Sequence, residues 1–339
     1  MQRFFLGNNT AYGFVGNYEE ELKDKDTVVL LKGGPGTGKS TILKKLAKEA
    51  EIRRYSYELW YCSGDPKSLD GVYIKDINAA IVDATAPHAT GADLPVVKDI
   101  IVDLAASLKR DKLKVYEDDI KNLIKCKKHR FIRAYQHLNT ALCHLKNKIA
   151  LEKEGVAERK IRELALQFLN EIKVKYDLTN IVQKTRKLFS TAICPAGESA
   201  YFDFLDGKTV FKICGCEYAM QVFFEEITKH VPCDILTLNP LEPIYIDGLV
   251  VGEVAVVKDA GNLEVDERII VALNEFEHFE NEDEILDEKN GVTLEVAFAV
   301  QELNRAREFH LEMEKYFVQA MDFENNEMLY EKIKNIVFD

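Results

Sequence analysis

The residues with the clearest chemistry are Gly33-Gly34-Pro35-Gly36-Thr37-Gly38-Lys39-Ser40-Thr41. They fit the pattern G-x-x-x-x-G-K-[ST], a loop built to hold phosphates. Glycines let the backbone wrap an anion without Cβ clashes. Successive N–H groups and the positive end of a following helix supply fixed partial charge. In such a loop the Lys39 ammonium neutralises the β and γ phosphates, and the Ser40 hydroxyl ligates magnesium. Gly33, Gly34, Gly36, Thr37, Gly38, Lys39, Ser40 and Thr41 are therefore the expected binding residues for a nucleoside triphosphate with Mg2+.

A magnesium ion needs a second acidic neighbour. Ala79-Ala80-Ile81-Val82-Asp83 is an apolar run ending in an acid, which makes Asp83 the expected partner of Ser40 at the metal, and Lys39 and Asp83 the expected catalytic pair. An Asp at a strand end also commonly bonds its own turn. Ala84 follows Asp83, so no catalytic Glu stands directly after it, which argues against a fast motor-type ATPase. Asp65, Asp70 and His88 are candidate substrate contacts. Each has a plainer reading. Asp65 before Pro66 suits a helix N-cap, Asp70-Gly71 suits a turn, and His88 suits a polar loop. No guanine-reading Asn/Thr-Lys-x-Asp motif occurs, which favours ATP over GTP.

These residues need elements to hold them. Thr27 to Leu31 reads as a buried strand entering the loop, and Ile42, Leu43, Leu46 and Ala47 form the apolar stripe of a helix leaving it. Tyr55 to Cys62 reads as a further strand, with Asp65 and Asp70 near its carboxyl end, where open α/β sheets place ligands. From Asp99 to Lys187 the periodicity is helical, with Gly155 as a break, and Thr293 to Tyr316 repeats it. Helices of that length suggest antiparallel hairpins projecting from each α/β core. Lys127, Lys128, His129, Arg130 and Arg133 make a basic patch: a lid over phosphates, a contact for an acidic partner or a solvated face.

The chain has 339 residues, which predicts two domains. Its net charge of −12 conceals an asymmetry. Lys109 to Lys187 carries 21 Lys and Arg against 10 Asp and Glu, whereas Asp247 to Asp339 carries 8 against 24. Nucleic acid is thus an unexpected partner, while the basic middle and acidic end can attract each other within a chain or between copies. Seven cysteines without paired C-x-x-C units read as reduced thiols. With no membrane-length apolar run and no secretory pattern at Met1 to Thr10, the expected location is the cytoplasm.

The second half echoes the first. Phe5 to Gly13 aligns with Phe189 to Gly197, Leu46-Ala47-Lys48 with Ile227-Thr228-Lys229, Asp70-Gly71 with Asp247-Gly248, and Gln136 to Ala141 with Gln301 to Ala306. In that alignment Lys39 meets Met220 and Ser40 meets Gln221, so the second loop lacks both the cation and the hydroxyl. The expected fold is α/β, with two tandem P-loop NTPase-type parallel-sheet domains bearing helical hairpin insertions. Residues 1–186 form the first, with its insertion at about 100–186, and residues 187–339 the degenerate second.

The segments Gly33 to Thr41, Cys62 to Gly71, Ala80 to His88 and Lys315 to Phe323 together resemble a bacterial family of duplicated P-loop ATPase-like proteins. The resemblance spans nearly the whole chain. It implies ATP binding and an ATPase or nucleotide-kinase activity without an established substrate. Family members typically carry the loop in both halves, and this chain departs from that in its second. Three functions follow as expectations: Mg-dependent ATP hydrolysis at the first-half site, transfer to a nucleotide or small-molecule acceptor, or an ATP-dependent switch or scaffold acting on a protein partner or a second copy.

Overall fold

The computed structural model describes residues 1–88, 91–176, 184–259 and 268–339. It contains two six-stranded sheets. The first comprises β1 (Gln2–Phe4), β4 (Thr27–Lys32), β5 (Tyr57–Tyr61), β6 (Leu69–Ile74), β7 (Ala79–Asp83) and β8 (Asp99–Asp103), in the order β1-β5-β6-β7-β4-β8. Between its first two strands lie the hairpin β2 (Gly7–Thr10) and β3 (Gly13–Gly16) and the short helix α1 (Tyr18–Leu22); α2 (Lys39–Ile52) follows β4. The second sheet comprises β9 (Arg186–Leu188), β12 (Thr209–Cys214), β13 (Ile235–Leu238), β14 (Ile246–Val251), β15 (Val254–Lys258) and β16 (Arg268–Ala272). Its order, β9-β13-β14-β15-β12-β16, reproduces the first, and the hairpin β10 (Thr191–Cys194) and β11 (Gly197–Ala200) and the helix α6 (Glu217–His230) recur at matching places.

Each sheet is mixed rather than wholly parallel. β6 runs antiparallel to both β5 and β7, and β14 to both β13 and β15. The cause is local. Only short connections separate these strands, too short for the crossover that a parallel neighbour requires.

The sheets pack face to face. Along β4, Val28 and Leu30 point into a core shared with Val210, Val250, Ala255 and Val257 of the second sheet. Val29 and Leu31 point the other way, toward α2. This two-residue alternation, with both faces apolar, explains why β4 reads as an unbroken hydrophobic run. The result is four layers, helix–sheet–sheet–helix, so the two expected domains share an interior, and Arg186 belongs to the second of them as the first residue of β9.

A local two-fold relates the halves. Phe5 and Phe189 exchange backbone hydrogen bonds of 2.9 and 3.0 Å. Arg3 reaches Asp203 in the second half at 2.6 Å. Reciprocally, Arg186 reaches Glu21 and Glu58 in the first, each at 2.8 Å.

The helices complete the exchange. They are α3 (Arg110–Lys114), α4 (Glu117–Gly155), α5 (Glu158–Tyr176), α7 (Glu282–Ala320) and α8 (Phe323–Phe338). α4 and α7 have 39 residues each, roughly 58 Å at 1.5 Å per residue. The expected hairpin on each core does not form. Instead α4 and α7 pair with one another, antiparallel, through Ala134, Leu138, Ala141 and Leu142 against Ala299 and Leu303. Arg130–Glu302, His137–Glu295 and His144–Glu288 contacts of 3.0, 2.6 and 2.6 Å lace the seam, so the basic middle meets the acidic end within one chain. Each long helix starts beside its own sheet and ends over the other. Consequently α5 covers the second sheet with Ile161, Phe168 and Leu169, and α8 covers the first with Tyr330, Ile333 and Val337.

The helical reading of Asp99 to Lys187 is corrected at both ends. Asp99–Asp103 is β8 and Arg186–Leu188 is β9, because short apolar runs at a sheet edge pair with a strand when one is available. The break at Gly155 is where α4 ends. A Cβ there would collide with the His278 carbonyl oxygen.

Two tests follow from this packing. Ile333→Ala, at a fully buried position in the last helix, should cost about 2–5 kcal/mol in urea denaturation; a loss below 1 kcal/mol would mean that α8 does not cover the first sheet. Burial alone would raise the Glu58 carboxyl, but hydrogen bonds and charge from Arg186, joined by Lys75, hold it at about 2. That depressed value contributes stability above the unfolded carboxyl range near 4.5, which is lost as pH falls toward 2. Arg186→Met should therefore cost about 3–5 kcal/mol at pH 7, and the deficit should shrink on acidification. A deficit independent of pH would contradict the ion pair.

Candidate functional site

β4 delivers the chain into the Gly33–Gly38 loop and α2 begins at Lys39. Gly36 and Gly38 have φ of +68° and +84°, left-handed conformations that favour glycine. Thr37, fully buried, ties the loop by donating from Oγ1 to the Gly34 carbonyl at 2.8 Å. No side chain caps the N-terminus of α2. Lys39 Nζ folds over the loop, donating to the carbonyls of Gly33 and Gly34 at 2.7 and 2.9 Å. It stands 3.6 Å from Asp83 Oδ2. Ser40 Oγ lies 3.0 Å from the Leu69 amide, whose proton it accepts, and Thr41 is exposed on the first turn of α2.

β7 places Asp83 beside the loop because it is the parallel neighbour of β4, with Leu31 and Asp83 as register partners. Asp83 Oδ1 also accepts from the Thr85 amide at 2.8 Å, so the strand-end turn is present as well. Thr85 Oγ1 donates to the Gly33 carbonyl, joining the two segments.

The three candidate substrate residues separate. Asp65 sits in a turn, not at a helix start, and pairs with Arg307 of α7 at 3.2 Å. Asp70 lies inside β6, buried, and not in a turn, because the strand continues through Gly71 against Trp60. His88 joins Asp70: Nε2 is 3.6 Å from Asp70 Oδ2, and the Tyr18 hydroxyl lies 3.1 Å from His88 Nδ1 and 3.2 Å from Asp70. Burial raises the Asp70 carboxyl, with His88 opposing and Asp83 adding to the rise.

Residues without a local signal come from the far end of the chain. The end of α7 and the start of α8 rest on the loop. A Cβ on Gly34 would lie 3.0 Å from the Phe317 ring, one on Gly36 2.9 Å from Val318, and one on Gly38 2.6 Å from the Asn326 amide. The His310 imidazole is pushed down to about 4 by burial and then by Lys127 and Lys39, so it is neutral at pH 7 in a cationic setting. Of the basic patch, Lys127 turns toward this region, 3.4 Å from His310, whereas Arg130 and Arg133 are held by Glu302 and Lys128 and His129 face solvent.

The matching place in the second sheet is built differently. Only Gly215 and Cys216 separate β12 from α6. The first N–H groups of α6 are taken by carboxylates of the protein itself: Glu277 accepts from Cys216 at 2.7 Å and Glu152 from Tyr218 at 2.9 Å. Glu217 and Asp247 hold Lys258 at 2.6 and 2.7 Å, with Lys258 at the register position that Asp83 has in the first sheet. Internal anions occupy the ground a phosphate would need.

Comparison of the chain with models of known families, with curated proteins and with solved structures finds no match in any of the three. No helix among the described residues is long and apolar enough to cross a membrane.

Glu277→Ala should destabilise the protein by about 1–3 kcal/mol, since it strips a charged cap from α6, and should create no new triphosphate site. Calorimetric titration of that variant with Mg·ATP should show no site that the wild type lacks; an added equivalent bound would show that the carboxylate alone was blocking the second loop.

Proposed function

We propose that this protein binds ATP with magnesium at Gly33–Thr41 and hydrolyses its terminal phosphoanhydride, using the first half alone, in a P-loop NTPase-type arrangement. One observation carries the reading. A six-residue glycine loop opens an uncapped 14-residue helix whose first residue, Lys39, points back over the loop and stands 3.6 Å from the acid of the adjacent strand.

The residues present suit the ligand. The N–H groups at the start of α2 and the left-handed glycines form a concave anion site. Lys39 is already within reach of the loop interior, so a phosphate would replace two carbonyl contacts with a stronger charge-assisted one. Ser40 and Asp83 offer the hard oxygen ligands that magnesium prefers. When bound, the ion would draw charge from the β and γ oxygens. Arg307 and Lys127, from α7 and α4, add positive charge on the side facing His310. The carboxylate-filled second loop supports a single working site.

A switch reading has its own support. Ala84 stands where a water-polarising acid would be needed, and α7 and α8 touch the loop glycines directly. Slow turnover coupled to movement of those helices is consistent with both.

Calorimetry with Mg·ATP, with phosphate release followed in the same samples, tests the reading. Lys39→Ala should weaken binding by at least about tenfold, or 1.4 kcal/mol, and abolish release. Binding without release, accompanied by altered proteolysis near Met321, would transfer the conclusion to the switch. Wild-type protein that binds no ATP would sink both.

A further inference from the structure

We propose that Cys62, Asp70 and His88 form a three-ligand site for a zinc-class divalent ion, separate from the magnesium position and open toward the cleft beside α1. Three segments converge there: the end of β5, the start of β6 and the loop after β7. One donor atom from each residue lies within 4.8 Å of the other two. The edges of a tetrahedron with zinc bonds of 2.0–2.3 Å are roughly 3.3–3.8 Å. Closure therefore asks each end of the widest pair to move by roughly half an ångström, a side-chain adjustment.

The donor set is sulfur, nitrogen and carboxylate oxygen. Thiolate and imidazole select zinc-like ions over magnesium, and three protein ligands with a free fourth position are the pattern of reactive rather than structural zinc. The supporting contacts are in place. Tyr18, buried, stands between two of the ligands, 3.1 Å from His88 Nδ1 and 3.2 Å from Asp70. With His88 Nδ1–H donating to the Tyr18 oxygen and the Tyr18 hydroxyl donating to Asp70, Nε2 is left as the ligand nitrogen, facing Asp70 at 3.6 Å. Such hydrogen bonds fix the tautomer and orient both ligands. Burial and then the charge of Asp70 raise the Cys62 thiol well above its ordinary value, with backbone N–H groups of Asp65 and Gly64 opposing, so the ion itself must draw the proton off the sulfur.

An entry path exists. A cleft of about 320 Å3 between Phe14, Tyr18, Glu19, Glu20, Pro87 and His88 reaches His88 from outside. Its two glutamates draw cations in. Binding displaces the Cys62 thiol proton to solvent.

The test is a cobalt(II) titration of the full chain after chelator treatment, followed by displacement with zinc. One equivalent should bind and give a thiolate-to-cobalt charge-transfer band with the visible spectrum of a four-coordinate ion. Cys62→Ser should abolish the band and weaken binding at least a hundredfold. Tyr18→Phe should keep the band and lose about tenfold in affinity. Cys143→Ser, at an exposed thiol, and Lys39→Ala should change neither, which separates this site from the nucleotide reading. Circular dichroism checks that each variant folds; should Cys62→Ser fail to fold, His88→Gln and Asp70→Asn must each cause the same loss of affinity. A band that survives in Cys62→Ser, or the absence of saturable binding by the wild type, would overturn the proposal.

Discussion

The interior between the two sheets is the constraint on which the rest depends. Val28, Leu30, Ala80 and Val82 of one sheet are buried against Val210, Val250, Ala255 and Val257 of the other. Neither sheet could leave that face in water without exposing a continuous apolar surface. Pairing the two repeats about a local two-fold buries both faces at once. Arg3 on β1 and Arg186 on β9, although not at equivalent positions, each cross to acids of the opposite half. Once the sheets are joined back to back, their remaining faces point outward and need helices. α2 and α6 cover part of each, and the rest is covered by a helix delivered from the other repeat.

That delivery explains the length of α4 and α7. Each must cross from its own sheet to the partner sheet before the chain can turn into α5 or α8. Two helices making opposite journeys run antiparallel, and a basic one against an acidic one is stabilised along its seam. The same geometry brings residues from the last quarter of the chain onto the first glycine loop. Arg307, His310, Phe317 and Asn326 therefore surround a site whose signature lies some 270 residues earlier. α7 and α8 lie directly against the loop glycines, and α8 also covers the outer face of the first sheet.

The two helix N-termini show how one physical demand can be met in opposite ways. Free N–H groups at the start of a buried helix need acceptors. At α6 the protein supplies them from Glu152 and Glu277, and the connecting loop has shrunk to two residues. At α2 a longer loop, glycines and an adjacent lysine make a cradle without a carboxylate cap. The repeat has thus kept its scaffold in both copies while the chemistry diverged. The absence of Lys and Ser from the second loop is only part of that difference, since the acids that cap α6 come from α4 and from the segment before α7.

By itself the sequence determined the local elements around the first loop. The strand into Gly33, the helix from Lys39, the strand ending at Asp83 and the repeat with its shorter second loop are written in short-range patterns, because glycine conformation, apolar period and motif spacing are local properties. It misread Asp99 to Asp103 as helix, and the turn that was the plainer alternative for Asp70 is a strand, since edge pairing and strand continuation depend on neighbours far along the chain. It also assigned each long helix to its own core. Only the tertiary structure decided that α4 pairs with α7, that α5 and α8 are exchanged, and that Tyr18, Cys62, Asp70 and His88 meet. Those outcomes follow from which apolar faces remain uncovered after the two sheets pack, a question of summed burial over the whole molecule that no single segment records.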